Sequence, residues 1–98
     1  MIIRIVSMHF GRENIESFLH IFKSSCDLIR AFPGCTRLEL LADKADPCHL
    51  TTYSHWQSEE ALEHYRKSDL FKSTWEKTKI LFDRRPEATS YEVAYAQV

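Results

Sequence analysis

The chain has 98 residues, 13 of them basic and 14 acidic, for a net charge of −1. That balance excludes the basic footprint of a nucleic-acid or membrane-surface protein, and the pair Arg84-Arg85 is too short to change it. The length sets one domain over residues 1–98. With 44% apolar and 12% aromatic residues, apolar surface is expected to remain for a partner such as a second copy of the chain.

Residues 2–10 are β-branched and bounded by Gly11, which predicts a first strand. Residues 12–31 place Ile15, Phe18, Leu19, Phe22, Cys26 and Ile29 on one helical stripe, and Pro33-Gly34 ends it. A second strand is read over 35–43, with Leu38 and Leu40 on one face and Arg37, Glu39 and Leu41 on the other. The turn residues Asp43 to Pro47 lead back into a third strand over 49–56, making a hairpin. Ser58 and Ser68 each suit a helix N-cap, so helices are expected over 58–67 and 69–83, with Phe71, Trp75, Thr78 and Phe82 on a shared face. Residues 88–97 alternate and close the chain as a last strand, with Thr89, Tyr91, Val93 and Tyr95 on one face.

The order β-α-β-β-α-β is the ferredoxin-like arrangement, an α+β fold with a four-stranded antiparallel sheet and its helices on one face. Large residues fall on both faces of the predicted strands. The helix-free face therefore calls for a cover, and the sheet of an identical subunit is the simplest one.

Three cysteines, Cys26, Cys35 and Cys48, with no paired spacing read as small hydrophobes rather than a disulfide framework or a zinc site. The first residues have neither a signal-peptide pattern nor a membrane span, so a cytoplasmic setting is expected.

Period two puts Thr52, Ser54 and Trp56 on one face of the third strand and Thr51, Tyr53 and His55 on the other. Trp56, where strand meets helix, either lines a small cavity with hydroxyls beside it or plugs the end of the core. His9 ends the first strand on the face of Ile3, Ile5 and Ser7, as a general base or as a rim residue. Tyr65, Phe71 and Trp75 are helical aromatics, core or cavity wall. His55 is expected toward the helices or the rim, with His20, His49 and His64 at the surface. The histidines lack ligand spacing, so no metal site is expected.

The run Phe32-Pro33-Gly34-Cys35, the strand ending in Trp56, Ser58-x-Glu60-Ala61-Leu62 and Ser68-x-x-Phe71 together resemble the antibiotic biosynthesis monooxygenase family, over nearly the whole chain. The resemblance implies a dimeric α+β barrel with a cavity in each subunit. It also implies cofactor-independent oxygenation of a small aromatic phenol or quinol. Trp56 matches the pocket tryptophan of such enzymes. Thr52 stands where the anthrone-type oxygenases carry a substrate-binding asparagine, and Tyr65 where a histidine is usual. Trp75 stands where haem degraders carry the iron ligand, which disfavours haem. The residues thus nominated are Trp56, His9 and Tyr65 as catalytic, and Thr52, Ser54, Phe71 and Trp75 as substrate-binding, with no cofactor. The alternative is a dimeric protein of the same fold that binds a small apolar or aromatic molecule without converting it.

Overall fold

A computed structural model describes residues 1–97. The elements run β1 (Ile2–His9), a 3-10 turn (Arg12–Asn14), α1 (Ile15–Arg30), β2 (Cys35–Ala42), β3 (His49–Trp56), α2 (Glu59–Arg66), α3 (Asp69–Lys79) and β4 (Glu87–Tyr91). The sheet order is β2-β3-β1-β4, antiparallel throughout, as the ferredoxin-like reading requires.

Local chemistry fixes the boundaries. The Ser58 hydroxyl accepts from the Ala61 N–H and the Ser68 hydroxyl from the Phe71 N–H, both at 3.1 Å. These two caps divide the helical stretch into α2 and α3. Gly34, at φ +92°, turns the chain from α1 into β2, and its carbonyl accepts from the Gln57 N–H at 2.8 Å. In the β2–β3 turn, the Asp43 and Asp46 carboxylates accept from the Ala45 and Cys48 N–H groups.

Two ends differ from expectation. The last strand stops at Tyr91 rather than continuing to residue 97. Tyr91 pairs with Ile3, near the start of β1, and is the last paired residue of β4. Val93 and Tyr95 are exposed. Helix α3 ends at Lys79, short of residue 83, and Phe82 instead forms an isolated bridge with Phe10.

One sheet face, bearing Ile2, Val6, Met8, Leu38, Leu50 and Trp56, meets the helices. It gathers two separate core clusters, one around Trp56, Cys35 and Leu62, the other around Phe10, Phe18 and Leu50. On α1, Ser25 rather than Cys26 is the buried residue between Phe22 and Ile29. The Ser25 hydroxyl donates to the Ile21 carbonyl at 2.9 Å, which lets a polar side chain sit there. The helix-free face is apolar at one end, with Ile3, Ile5, Tyr53 and Tyr91, and polar at the other, with Ser7, His9, His49 and Thr51.

Among the described residues, no helix is long and apolar enough to cross a membrane. Cys35 is buried and Cys26 and Cys48 are half-buried, all as free thiols. Burial pushes the Cys35 thiol up, away from a reactive thiolate.

Candidate functional site

The two core clusters do not merge. Between them, under the sheet and behind the helices, lies a cavity of about 310 Å³. Its floor is the sheet, through Val6, Leu38, Thr52, Ser54 and Trp56. Its walls are α1 and the α2–α3 pair. Ala88 of the exposed edge strand β4 and the exposed Arg66 at the end of α2 mark its open side.

Trp56, Thr52 and Ser54 share the cavity floor as their spacing predicts. Trp56 is 1% exposed, and its indole N–H donates to the Ser54 hydroxyl at 3.0 Å. The indole N–H is thereby satisfied, while the Ser54 O–H turns to the Arg4 carbonyl at 3.5 Å, which leaves the indole as an apolar wall rather than a donor toward a ligand. The Thr52 hydroxyl has no hydrogen-bond partner among the described residues and remains available to the cavity.

Tyr65, Phe71 and Trp75 are also brought to the cavity. Tyr65 stacks on Trp56 with ring centroids 4.8 Å apart and planes 23° apart. Phe71 meets Tyr65 edge-on at 5.3 Å and lies parallel to Trp75 at 5.9 Å. Trp75 reaches Phe82 at 5.6 Å, and Phe82 joins the stacked Phe10–Phe18 pair. The result is an unbroken chain of ring contacts, of which Trp56, Tyr65, Phe71, Trp75 and Phe18 line the cavity, with each contact contributing on the order of 1 kcal/mol beyond area burial. Burial pushes the Tyr65 phenol up to about 12, and the nearby Cys35 acts in the same direction. At neutral pH Tyr65 is therefore a hydrogen-bond donor.

Arg4 and Arg66 also line the cavity, a pair that sequence reasoning missed. Arg4 is half-buried on the helix side of β1. Its guanidinium donates to the Ser90 hydroxyl at 2.9 Å. Burial pulls its pKa down, the Arg66 charge acts the same way, and Glu63 opposes both. A lone cation inside Ile2-Ile3-Arg4-Ile5-Val6 was the signal available.

His9 is not brought to this cavity. The register sets Ile2, Arg4, Val6 and Met8 toward the helices, so His9 points from the opposite face. Its Nδ1 lies 2.7 Å from an Asp83 carboxylate oxygen and its Nε2 2.8 Å from one of Asp46, and the protonated ring donates to both. The imidazole so clamped joins the end of β1 to the β2–β3 turn and to the segment after α3. The Asp83 and Asp46 hydrogen bonds raise its pKa. His49, expected at the surface, is half-buried beside it. His49 Nδ1 lies 2.9 Å from an Asp43 carboxylate oxygen and Nε2 2.7 Å from the Ser7 hydroxyl. This is the hydrogen-bond order of a serine nucleophile relay. Ser7, however, is mid-strand and flanked by β3 and β4, so the backbone N–H groups around it are engaged in the sheet and leave no oxyanion hole. His55 faces neither helices nor cavity. It sits on the helix-free side, with Nε2 3.0 Å from the Tyr53 hydroxyl.

Comparison with known proteins places this geometry. Residues 1–77 match the family profile described as antibiotic biosynthesis monooxygenase. A crystal structure of an antibiotic biosynthesis monooxygenase superposes with a TM-score of 0.91 at 18% identity, covering 97% of this chain and 100% of the other. A conserved protein from Methanosarcina mazei Go1 gives 0.87 at 24% identity, covering 93% and 91%. A protein from Nitrosomonas europaea, provisionally assigned as an antibiotic biosynthesis monooxygenase, gives 0.89 at 15% identity, covering 97% and 100%. At these identities the likeness is one of fold. No curated protein sequence matches the chain significantly.

Proposed function

The chain belongs to the antibiotic biosynthesis monooxygenase family, and on that premise we propose that it is a cofactor-independent monooxygenase of a small aromatic phenol or quinol. The observation that carries the reading is the aromatic-walled cavity of about 310 Å³ with Trp56 and Tyr65 stacked at one end. That volume lies at the lower end of small-molecule sites and suits a planar ring system.

In this chemistry the substrate does most of the work. Its hydroxyl, or an acidic C–H beside the ring, loses a proton to solvent at the open side of the cavity, and the peroxide anion formed later takes one back. The anion passes one electron to O₂, and the radical pair joins at carbon to give a hydroperoxide. Loss of water then leaves the carbonyl product. The chain supplies a dry space, ring contacts from Phe71 and Trp75, and hydrogen bonds from the Thr52 and Tyr65 hydroxyls that favour the anion. Ser54 acts through Trp56, holding the indole flat against Tyr65. His9 has no part in this step, because it faces away.

The functional unit we propose is a homodimer joined through the helix-free sheet faces as a paired α+β barrel. Ile3, Ile5, Tyr53 and the exposed Leu41 and Tyr91 support it, because such a surface gains by burial. A standard interface of roughly 1,200–2,000 Å² would cover that face. Sedimentation at micromolar concentration should give the dimer mass, and a monomer there would overturn the assembly.

The enzyme reading is tested by O₂ uptake with a panel of quinols and anthrones, comparing the parent protein with Trp56→Phe and Thr52→Val. Uptake that falls in both variants supports it. No uptake on any substrate removes it. One observation favours the second reading, a non-catalytic dimeric binding protein. The Trp56 indole N–H is already engaged by the Ser54 hydroxyl, and among the described residues no histidine or carboxylate lines the cavity.

A further inference from the structure

The cavity is lined mainly by aromatic and aliphatic groups, yet Arg4, from the middle of a central strand, is part of that lining, with its guanidinium held at the β4 side by Ser90. Arg4 remains charged at any physiological pH and presents five N–H donors in a rigid fork. Among the described residues one of these donors is engaged, by Ser90, and no carboxylate lies within ion-pairing distance. Arg66 adds a second positive charge at the same mouth. Its own partner is Glu63, at 2.7 Å. Two cations therefore face one acid beside an apolar space. Glu63 acts on Arg4 as well as pairing Arg66, so one carboxylate serves two cations, and an anion entering the cavity balances the second.

We infer that the cavity takes an aromatic ligand bearing an anionic oxygen group, a carboxylate or an ionised phenol, which the Arg4 fork grips while the ring lies along the Trp56–Tyr65–Phe71 wall. This rests on the reading of the cavity as the binding site and narrows its substrate class. Arg4 rather than Arg66 is the specificity-determining residue, because Arg66 is exposed and already paired. The fork suits a carboxylate, which accepts two parallel N–H bonds, and it suits a phenolate through a single oxygen. Gripping a phenolate would also lower the acidity barrier of the proposed oxygenation, which has no base of its own in the cavity.

The purely structural account of Arg4 is that it pins the exposed strand β4 through Ser90. The two accounts separate by mutation. Binding of 2-naphthoate, anionic at neutral pH, and of 2-naphthol, neutral there, is measured by calorimetry for the parent protein and for Arg4→Met, Arg4→Lys and Ser90→Ala. The expected result is that the parent prefers the naphthoate about tenfold or more. Arg4→Met should lose that preference and hold 2-naphthol within about twofold, which also shows that the variant is folded. Arg4→Lys should keep part of the preference, and Ser90→Ala should keep all of it. A complementary arm uses 4-nitrophenol, whose yellow anion should be enriched when bound to the parent and not to Arg4→Met, which distinguishes a phenolate grip from a carboxylate one. Equal affinity for the two naphthalenes, or a preference that survives Arg4→Met or disappears in Ser90→Ala, overturns the inference and leaves the cavity standing. Absence of binding by both compounds overturns the cavity reading and this inference together.

Discussion

The indole N–H of Trp56 donates to the hydroxyl of Ser54, two residues earlier on the same face of β3, at 3.0 Å. Trp56 is 1% exposed, so water cannot replace that acceptor. Ser54→Ala should leave a buried donor unsatisfied and destabilise the fold by about 1–3 kcal/mol in urea denaturation. In a Trp56→Phe background the same change should cost clearly less, because the donor is gone. A double-mutant cycle measures the difference, and additive effects would mean the bond contributes nothing.

Gly34 sits at φ +92°, and a Cβ built there would collide with the Ala61 methyl. Gly34→Ala should therefore combine a backbone cost of roughly 1–2 kcal/mol with a steric one. Ala61→Gly, added to it, should recover the steric part alone. Chemical denaturation of the single and double variants checks this. Full recovery would show that the left-handed backbone carries no cost here.

The order of elements was legible because each has its own period and each helix its own punctuation, from Pro33-Gly34 to Ser58 and Ser68. The end of β4 was not. Alternation through Val93 and Tyr95 looks like strand, but a strand lasts only as long as its neighbour, and β1 begins at Ile2. Trp56, Thr52 and Ser54 were found as a group because period two is local information. His9 was grouped correctly with Ile3, Ile5 and Ser7. What the sequence lacks is the register that sets this group on the opposite face from Trp56. The Ser7–His49–Asp43 chain joins two strands and a turn, and no spacing along the chain announces it. Arg4 was visible as an isolated charge among isoleucines, whereas Arg66 is one cation among several on a helix end.

The His9 clamp gives stability a definite pH dependence. Asp83 and Asp46 hydrogen bonds raise the folded pKa of His9 above the ordinary 6.5. Stability from this clamp is present in full below that ordinary value and is lost as pH rises through the raised one. Asp46 moves the other way. The Cys48 N–H, and after it His9, hold its carboxyl below the ordinary 3.8. Its contribution is present above that value and is lost as pH falls through the lowered one. Urea midpoints should therefore be highest at mildly acidic pH and decline on either side. His9→Gln should flatten the alkaline decline, with Arg84 the charge opposing His9 in the parent protein. A titration of the His9 ring by NMR that gave an unshifted or lowered pKa would contradict the clamp.

Tyr65 offers the sharpest test of role, because burial pushes its phenol up to about 12. A base must be ionised in the working enzyme, and at neutral pH only about one such phenol in 10⁵ would be. Under the proposed function Tyr65 therefore serves as a donor to the substrate oxygen, not as its base. Tyr65→Phe should lower kcat on a turned-over quinol by on the order of 10²-fold, the usual loss for one donor to a developing anion. The pH–rate profile should keep its shape, since the group removed does not titrate in the working range. The assignment can be checked without any substrate. The alkaline tyrosinate absorbance of the parent, minus that of Tyr65→Phe, should show no step below about pH 11. A step near neutrality would make Tyr65 the missing base of the cavity and reverse its role from donor to acceptor.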